Sequence, residues 1–509
     1  MHENREISNT PWSDDQGRSA KAINRTADMH VLEKSDCAVG PVNQPNKGGK
    51  PSAEVGEGRA QTRENIVPPH MHPTRSGKRM SQGLDGVRKA AKERRQERFT
   101  ALLHHLNIGL LRDSFYALKR QASPGVDGVR WEEYESGLEE RLVDLHNRVH
   151  RGTYRAQPSR RVFIPKADGR QRPLGIATVA DRLLQRAVAR ILEAVFEADF
   201  LDCSHGFRPG RNPHHALQEL RVQIVTKKVG QVFEADIRSY FTRINHQWLR
   251  EMVAHRIADP VILRLIGKWL NAGAMQDGVV THAEEGTPQG GSISPVLSNL
   301  YLHFVLDLWF EKKIKPQCRG EAYLVRFADD FVVSFQSRQD VDHFQKQARE
   351  RFAKFGLELA EEKTRRILFG RFADLTCQRH GLGRPETFEF LGFKHVCGVD
   401  RKGRFALIRI PSAKSCRKFL ARTREWIFQH RSWRKWEQQE HLTKMLRGFY
   451  QYFGLHHCER KLNWVRQQVQ RQWICALNRR GQRRRTNWTR LKKCSWFQLP
   501  FAQNLHPTV

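Results

Sequence analysis

Apolar residues recur at three- to four-residue intervals from Phe99 to Leu118: Phe99, Leu102, Leu103, Leu106, Leu110, Leu111, Phe115 and Leu118. That spacing collects them on one stripe, so the stretch predicts an amphipathic helix at which order begins. "SPGVDG" (123–128) interrupts it with a proline and two glycines, and "WEEYESGLEERLVDLHNRVHR" predicts a charged helix beyond. The period then changes. In "RRVFIPKADGRQRPLGI" two short strand-like runs flank Asp168-Gly169, a hairpin signal. From 177 to about 395 helical and strand patterns alternate. Helical periodicity returns at 412–431, 435–454 and 459–480, which predicts a three-helix bundle. Leu462, Val465, Val469, Trp473 and Leu477 line one face of its last member. Residues 1 to 92 lack such a pattern and are rich in Gly, Pro, Ser, Asn and charge, so they predict a disordered leader.

Acids punctuate the strand patterns. "YLVRFADDFVVSF" reads as strand, tight turn, strand, with Asp329 and Asp330 at the tip. "QVFEADIRSYF" (231–241) is another apolar strand, ending in Asp236. Strand-end acids from separate segments can converge on one point of a sheet, and such oxygen-rich groups suit Mg²⁺, which takes one or two carboxylates plus substrate phosphates. Two ions held about 3.5–4 Å apart form the clamp of polymerases. Between these acids, "EEGTPQGGSISP" predicts a tight, backbone-exposed turn through Pro288, Gly290 and Gly291, then a helix capped by Ser294 with Pro295 in its first turn. That helix carries Leu297, Leu300, Phe304 and Leu308 on one face.

Charge narrows the class of partner. The 509 residues hold 88 Lys+Arg against 54 Asp+Glu, a formal net charge of +34. Such a field attracts polyanions, nucleic acid first. Residues 459–493 alone carry 12 Lys/Arg and one acid, Glu459, with Trp488 set among them. The nine cysteines are scattered with no CxxC pair, which fits a reducing compartment. No stretch approaches the ~18 apolar residues of a membrane span, so the expected location is the cytoplasm.

The motifs occur in an order that resembles one family. "SPGVDG", "IPKADGRQRPLGI", "SHGFRPGRN", Asp236-Ile237, "TPQGGSISP", "FADD", "GLELAEEKT", "FEFLGF" and "LRGFYQYFG" together are similar to bacterial group II intron-encoded reverse transcriptases/maturases, over about residues 93–497. The resemblance implies an α+β right-hand polymerase: fingers and palm at 93–400 (core about 145–396), a helical thumb or maturase X region at 401–477, and a basic C-terminal tail at 478–509. It implies RNA-directed DNA synthesis on intron RNA, help with intron splicing and mobility, and as partners group II intron RNA, a DNA target or primer and dNTPs, with no membrane. Asp236, Asp329 and Asp330 would be the carboxylates for two Mg²⁺ ions, with the Ile237 carbonyl as a backbone ligand. Lys166 and Arg172 would contact the triphosphate, and Gln289 and Gly290 the incoming nucleotide. Phe241 would exclude a ribose 2′-hydroxyl, and Lys363 would protonate the leaving pyrophosphate.

There are departures. In "FTRINH", Thr242 and Asn245 stand where the family carries acids. They fit a rival reading, a splicing-only maturase with a silent polymerase site; a retron-type enzyme is a second rival, opposed by "LRGFYQYFG" and the basic C-terminus. The chain reaches Val509 without a paired-cysteine endonuclease, as in endonuclease-lacking lineages. Cys377, His380, His395 and Cys397 make a CxxH…HxC array whose spacing is not a standard zinc pattern; strand packing is the preferred reading.

Overall fold

A computed structural model describes residues 75–165, 171–276, 279–281, 286, 290–480 and 487–506. Residues 1–74 of the expected leader lie outside the described residues. The leader's expected end is corrected: Arg75–Glu93 forms a helix, α1, with Leu84, Val87 and Ala91 buried. The single helix expected over Phe99–Leu118 is also corrected. The run is interrupted: Phe99 is bridged to Ile257, and the Asp259 carboxylate takes the N–H groups of Leu102 (2.8 Å) and Leu103 (2.9 Å) at the start of a separate 3₁₀ turn, Leu103–His105. The helix proper, α2 (Ile108–Tyr116), starts where Asn107 caps the Leu110 N–H. The charged helix is two, α3 (Trp131–Glu135) and α4 (Leu138–His150), parted at Gly137 with φ 83°.

Three sheets follow. β1 (Ser159–Pro165) and β2 (Gln171–Ile176) form the expected antiparallel hairpin. β4 (Ala274–Gln276) and β5 (Val279–Thr281) complete that sheet in the order β2-β1-β4-β5. The second sheet has the order β6-β7-β3-β8, from β3 (Gln231–Ala235), β6 (Ala322–Phe327), β7 (Asp330–Phe335) and β8 (Arg365–Leu368), all antiparallel. The third runs β11-β10-β9, from β9 (Phe388–Phe390), β10 (Phe393–Val399) and β11 (Phe405–Pro411).

Between and over these lie α5 (Val179–Phe196), α6 (Pro213–Thr226), α7 (His246–Ala254), α8 (Pro260–Asn271), α9 (Ser294–Leu302), α10 (Arg338–Lys354) and α11 (Ala373–Arg379). In the second sheet β6 and β7 are buried on both faces, which is why they read as nearly continuous apolar runs. Phe233, Leu324 and Val333 face the core built with α5 and α7–α10. Val232, Val325 and Val332 face a second core shared with the third sheet and the C-terminal helices.

Those helices are α12 (Ala413–Gln429), α13 (Lys435–Phe453) and α14 (Glu459–Asn478), close to their expected spans. Leu462, Val465, Val469 and Trp473 are fully buried, and Leu477 packs beside them. Residues 487–506, expected as part of a separate basic tail, instead fold back onto the bundle. After α15 (Trp488–Lys492), Phe497 and Leu499 enter the core, the Leu505 N–H donates to the Gly454 carbonyl (2.8 Å), and the Ala502 N–H donates to Asn463 Oδ1 (3.1 Å).

Candidate functional site

The antiparallel register of β3 and β7 pairs Ala235 with Phe331. Asp236 directly follows Ala235 and Asp330 directly precedes Phe331, so the two acids come to the same end of this strand pair. Side chains alternate along strands, so both acids lie on the face that carries Val232 and Val332. Asp329 sits beside them in the two-residue turn between β6 and β7, where Phe327 pairs with Asp330. All three acids are half-buried. Ile237 is bridged to Leu359. The bonds of that bridge come from the Arg238 N–H to the Glu358 carbonyl and from the Ala360 N–H to the Asp236 carbonyl, both 2.8 Å. In such a pair the Ile237 carbonyl points away from the 358–360 segment.

Lys363 closes this group. It ends a short 3₁₀ turn (Glu361–Lys363), and its ammonium donates to Asp236 Oδ2 at 2.5 Å. A cation already rests on one of the carboxylates. Among the described residues no three His, Cys, Asp or Glu side chains are grouped to hold a metal ion. The all-oxygen donor set nevertheless fits a hard divalent ion, which needs only one or two carboxylates when substrate phosphates and water supply the rest.

Phe241 lies five residues after Asp236 in the turn Tyr240–Thr242, half-buried and edge-on to Tyr240 (5.2 Å between centroids). The buried Tyr240 hydroxyl donates to the Ser298 carbonyl (2.8 Å); burial pushes the phenol well above its usual range, and nearby Asp329 adds to the shift. Gly290, with φ 107°, is wedged against the hairpin: a Cβ there would meet the Gly175 carbonyl oxygen at 2.8 Å. The Ser292 N–H donates to Gln185 Oε1 (2.9 Å). Gly286 abuts Thr242, and its carbonyl meets His246 Nε2 at 2.5 Å. The glycine-rich segment therefore spans from β2 to the Phe241 turn. Arg172 stands opposite Ile164 in the hairpin. Lys166 and Gln289 lie outside the described residues.

Thr242 and Asn245 have local duties. The Thr242 hydroxyl donates to the Ser239 carbonyl (2.8 Å), and Asn245 Oδ1 caps α7 by accepting from the Trp248 N–H (3.1 Å). Ser294 is not the cap expected of it; it is the first residue inside α9, and Ile293 holds the cap position. In the CxxH…HxC array, Cys377 is buried and His380 exposed, and Cys397 Sγ accepts from the Gly370 N–H (3.5 Å). His395 stacks on Phe388 at 4.6 Å, with 5° between the planes.

What composition alone did not reveal is the brace behind the acidic turn. Arg326 is fully buried. Its guanidinium donates to both carboxylate oxygens of Asp307 (2.7 and 2.6 Å), to Asn299 Oδ1 (3.0 Å), to Ser204 Oγ (2.7 Å) and to the carbonyl of Ala328 in the turn itself (3.0 Å). Burial opposes its charge, but Asp307 more than offsets that and raises its pKa. Asp307 reaches inward because the chain after α9 widens into π-turns at His303–Asp307 and Phe310–Ile314. This rotates Val305, Leu306 and Asp307 into the core and leaves Phe304 and Leu308 only half-buried, against the expected face. "SHGF" completes the brace. Its backbone pairs with Arg326 on both sides, and Gly206 lies so close that a Cβ would sit 2.2 Å from the Ala328 nitrogen. The readable signal was an arginine inside the otherwise apolar "YLVRF".

Residues 164–395 match the family model described as reverse transcriptase (RNA-dependent DNA polymerase). A group II intron-encoded protein, LtrA, of Lactococcus lactis subsp. cremoris is 30% identical over 343 residues, 55% of this chain and 56% of that protein. Over the matched residues the chain is similar to reverse transcriptases and to a group II intron-encoded protein. Protein YkfC of Escherichia coli (strain K12) is 40% identical over 204 residues, 40% of this chain and 54% of its own. An uncharacterized 91 kDa protein in the cob intron of Schizosaccharomyces pombe is 40% identical over 146 residues, 29% of this chain and 18% of that protein. The chain thus spans about half the length of the first two relatives. Reverse transcriptases in general use divalent metal ions. Among the described residues no helix is long and apolar enough to cross a membrane.

Proposed function

We propose that this protein is the RNA-directed DNA polymerase of a group II intron, which copies intron RNA into DNA and assists its splicing. The observation that carries the reading is the pairing of Ala235 with Phe331, which brings Asp236 and Asp330 to one end of the sheet, with Asp329 in a turn held from behind by Arg326. Asp236, Asp329, Asp330 and the Ile237 carbonyl would hold Mg²⁺, and two such ions, when bound, supply activation of a primer 3′-hydroxyl and neutralisation of the pyrophosphate. The half-buried Phe241 ring forms the wall against a ribose 2′-hydroxyl, so deoxynucleotides are preferred. Gly290 would floor the nucleotide site, and Gln289 would contact the incoming nucleotide. Lys166 and Arg172 supply cations to the triphosphate. Lys363 stays close enough to Asp236 to hand a proton to the departing pyrophosphate. Thr242 and Asn245 make local bonds to the backbone of Ser239 and Trp248.

Primer extension on an RNA template and splicing of the cognate intron, measured side by side, test this. Asp329→Asn and Asp236→Asn should each bring Mg²⁺-dependent cDNA synthesis to background while protein-assisted splicing persists, since splicing help needs RNA binding by charge and shape. Near-wild-type extension by Asp236→Asn would sink the metal assignment. Splicing without cDNA from the wild-type chain would make it a splicing-only maturase, and cDNA without splicing at any salt would remove the maturase half.

A further inference from the structure

The connection between α12 and α13 is built more firmly than a solvent loop requires. Buried Gln438 donates from Nε2 to the carbonyls of His430 (2.8 Å), Arg431 (3.2 Å) and Trp433 (3.3 Å), and its Oε1 accepts from buried Trp473 Nε1 (2.6 Å). Arg480 donates to the same Trp433 carbonyl. Beneath the connection, Trp426 is stacked between His441 (3.8 Å, 6°) and His430 (4.6 Å, 13°), and Trp433 stands edge-on to both Trp426 and His430. The backbone is thereby preorganised.

What it presents outward is two indoles and three cations. Trp433 is 44% exposed and Trp436 55%. Arg431, Arg434 and Lys435 are exposed around them, and 426–436 contains no acid. The nearest acid that follows, Glu437, is turned back to accept from the Arg434 N–H (3.0 Å). Exposed tryptophan is costly in water unless something covers it, and a cationic rim selects an anion as the cover. Duplexes hide base faces in their stack; unpaired nucleotides offer them.

We propose that the α12–α13 connection is a seat for unpaired nucleotides, with a base stacked on Trp436 or Trp433 and the flanking phosphates on Arg431, Arg434 and Lys435. The proposal rests on the nucleic-acid reading above and adds to it a second contact region, on the C-terminal helices. RNA and DNA single strands share the chemistry, and the test separates them.

The experiment measures binding of the full-length chain to fluorescent oligouridylate, oligodeoxythymidylate and a blunt RNA duplex of equal length, by anisotropy over a salt series. Trp433→Ala/Trp436→Ala should weaken single-strand binding about tenfold or more, the effect of losing one stacked base, and change duplex binding less than twofold. Arg431→Gln/Arg434→Gln should flatten the single-strand salt slope by about 1.4. Because Trp433 also touches Trp426, Trp436→Ala alone must show a loss and Trp436→Phe must recover most of it. A loss confined to RNA or to DNA assigns the seat to that strand and supports the proposal. Equal losses on duplex and single strands, no loss, or tryptophan-dependent binding only to phosphatidylglycerol vesicles would overturn it. A wild-type chain that neither binds these strands nor extends a primer would sink the polymerase reading itself; wild-type binding and extension with indistinguishable tryptophan variants sinks this seat alone.

Discussion

Arg326 is fully buried behind the acidic turn, with its donors on Asp307, Asn299, Ser204 and Ala328, whereas Arg431 and Arg434 stand exposed with no carboxylate partner among the described residues. The side chain is the same and the work is opposite. A buried guanidinium is tolerable only when every neighbour answers it, and its fixed fork then sets the geometry of whatever it touches. An exposed guanidinium fixes nothing in the fold and stays open to a phosphate. The net charge of +34 counts both kinds alike. Pairing, not charge, separates the arginines that shape the site from those that can meet nucleic acid.

The comparison breaks most visibly at the buried member. Arg326→Met strands the Asp307 carboxylate in the core and should cost about 3–5 kcal/mol of stability, read from denaturant melts. Adding Asp307→Leu replaces the pair with apolar volume and should restore most of that stability. Primer extension should stay low in the double variant, because the Ala328 carbonyl has still lost its donor. Recovery of both properties together would reduce the brace to packing.

A buried group that can gain charge sharpens the contrast at the next level. Burial pushes the His395 imidazole down to about 3, and Arg409 adds to the shift. In the unfolded chain it titrates near ~6.5. Below that pH the unfolded state takes up a proton that the folded state refuses, so stability falls from about 6.5 toward 3 and is unaffected above. Between about pH 7.5 and about pH 5 the loss is about 2 kcal/mol. His395→Phe should flatten stability over that interval by the same amount; an unchanged profile would place the acid sensitivity elsewhere.

The smallest effect concerns exposed cations near the C-terminus. Arg479, Arg490 and Lys493 are exposed. Their joint replacement by glutamine should lower the salt slope of RNA binding by about 2 and leave the melting curve in place. Deleting 478–509 would be a poorer probe, since it also strips Phe497 and Leu499 from the core. A full slope in the triple glutamine variant would show that these charges are only solvated.

The sequence by itself determined the elements with a strong period and the chemistry at their ends. The β1–β2 hairpin, the doubly buried strands of the second sheet and the three C-terminal helices were legible because burial imposes a period of two, continuous apolarity or a period of 3.6 residues on the chain. Asp236, Asp329 and Asp330 were legible because acids at the ends of apolar strands need a reason. Tertiary structure decided what no local pattern records. Asp259, distant in sequence, holds the N–H groups of Leu102 and Leu103 at the start of a separate 3₁₀ turn, where their spacing suggests one continuous helix. The π-turns rotate Asp307 inward to Arg326, and a brace of four segments forms from residues that are unremarked singly. The C-terminal segment folds back although its composition is that of a solvated tail, because Phe497 and Leu499 find an apolar surface that exists only once α13 and α14 have packed. Each of these turns on a contact between residues far apart in the chain, and the hydrogen bonds and buried area that stabilise it do not exist until the chain has closed the loop between them.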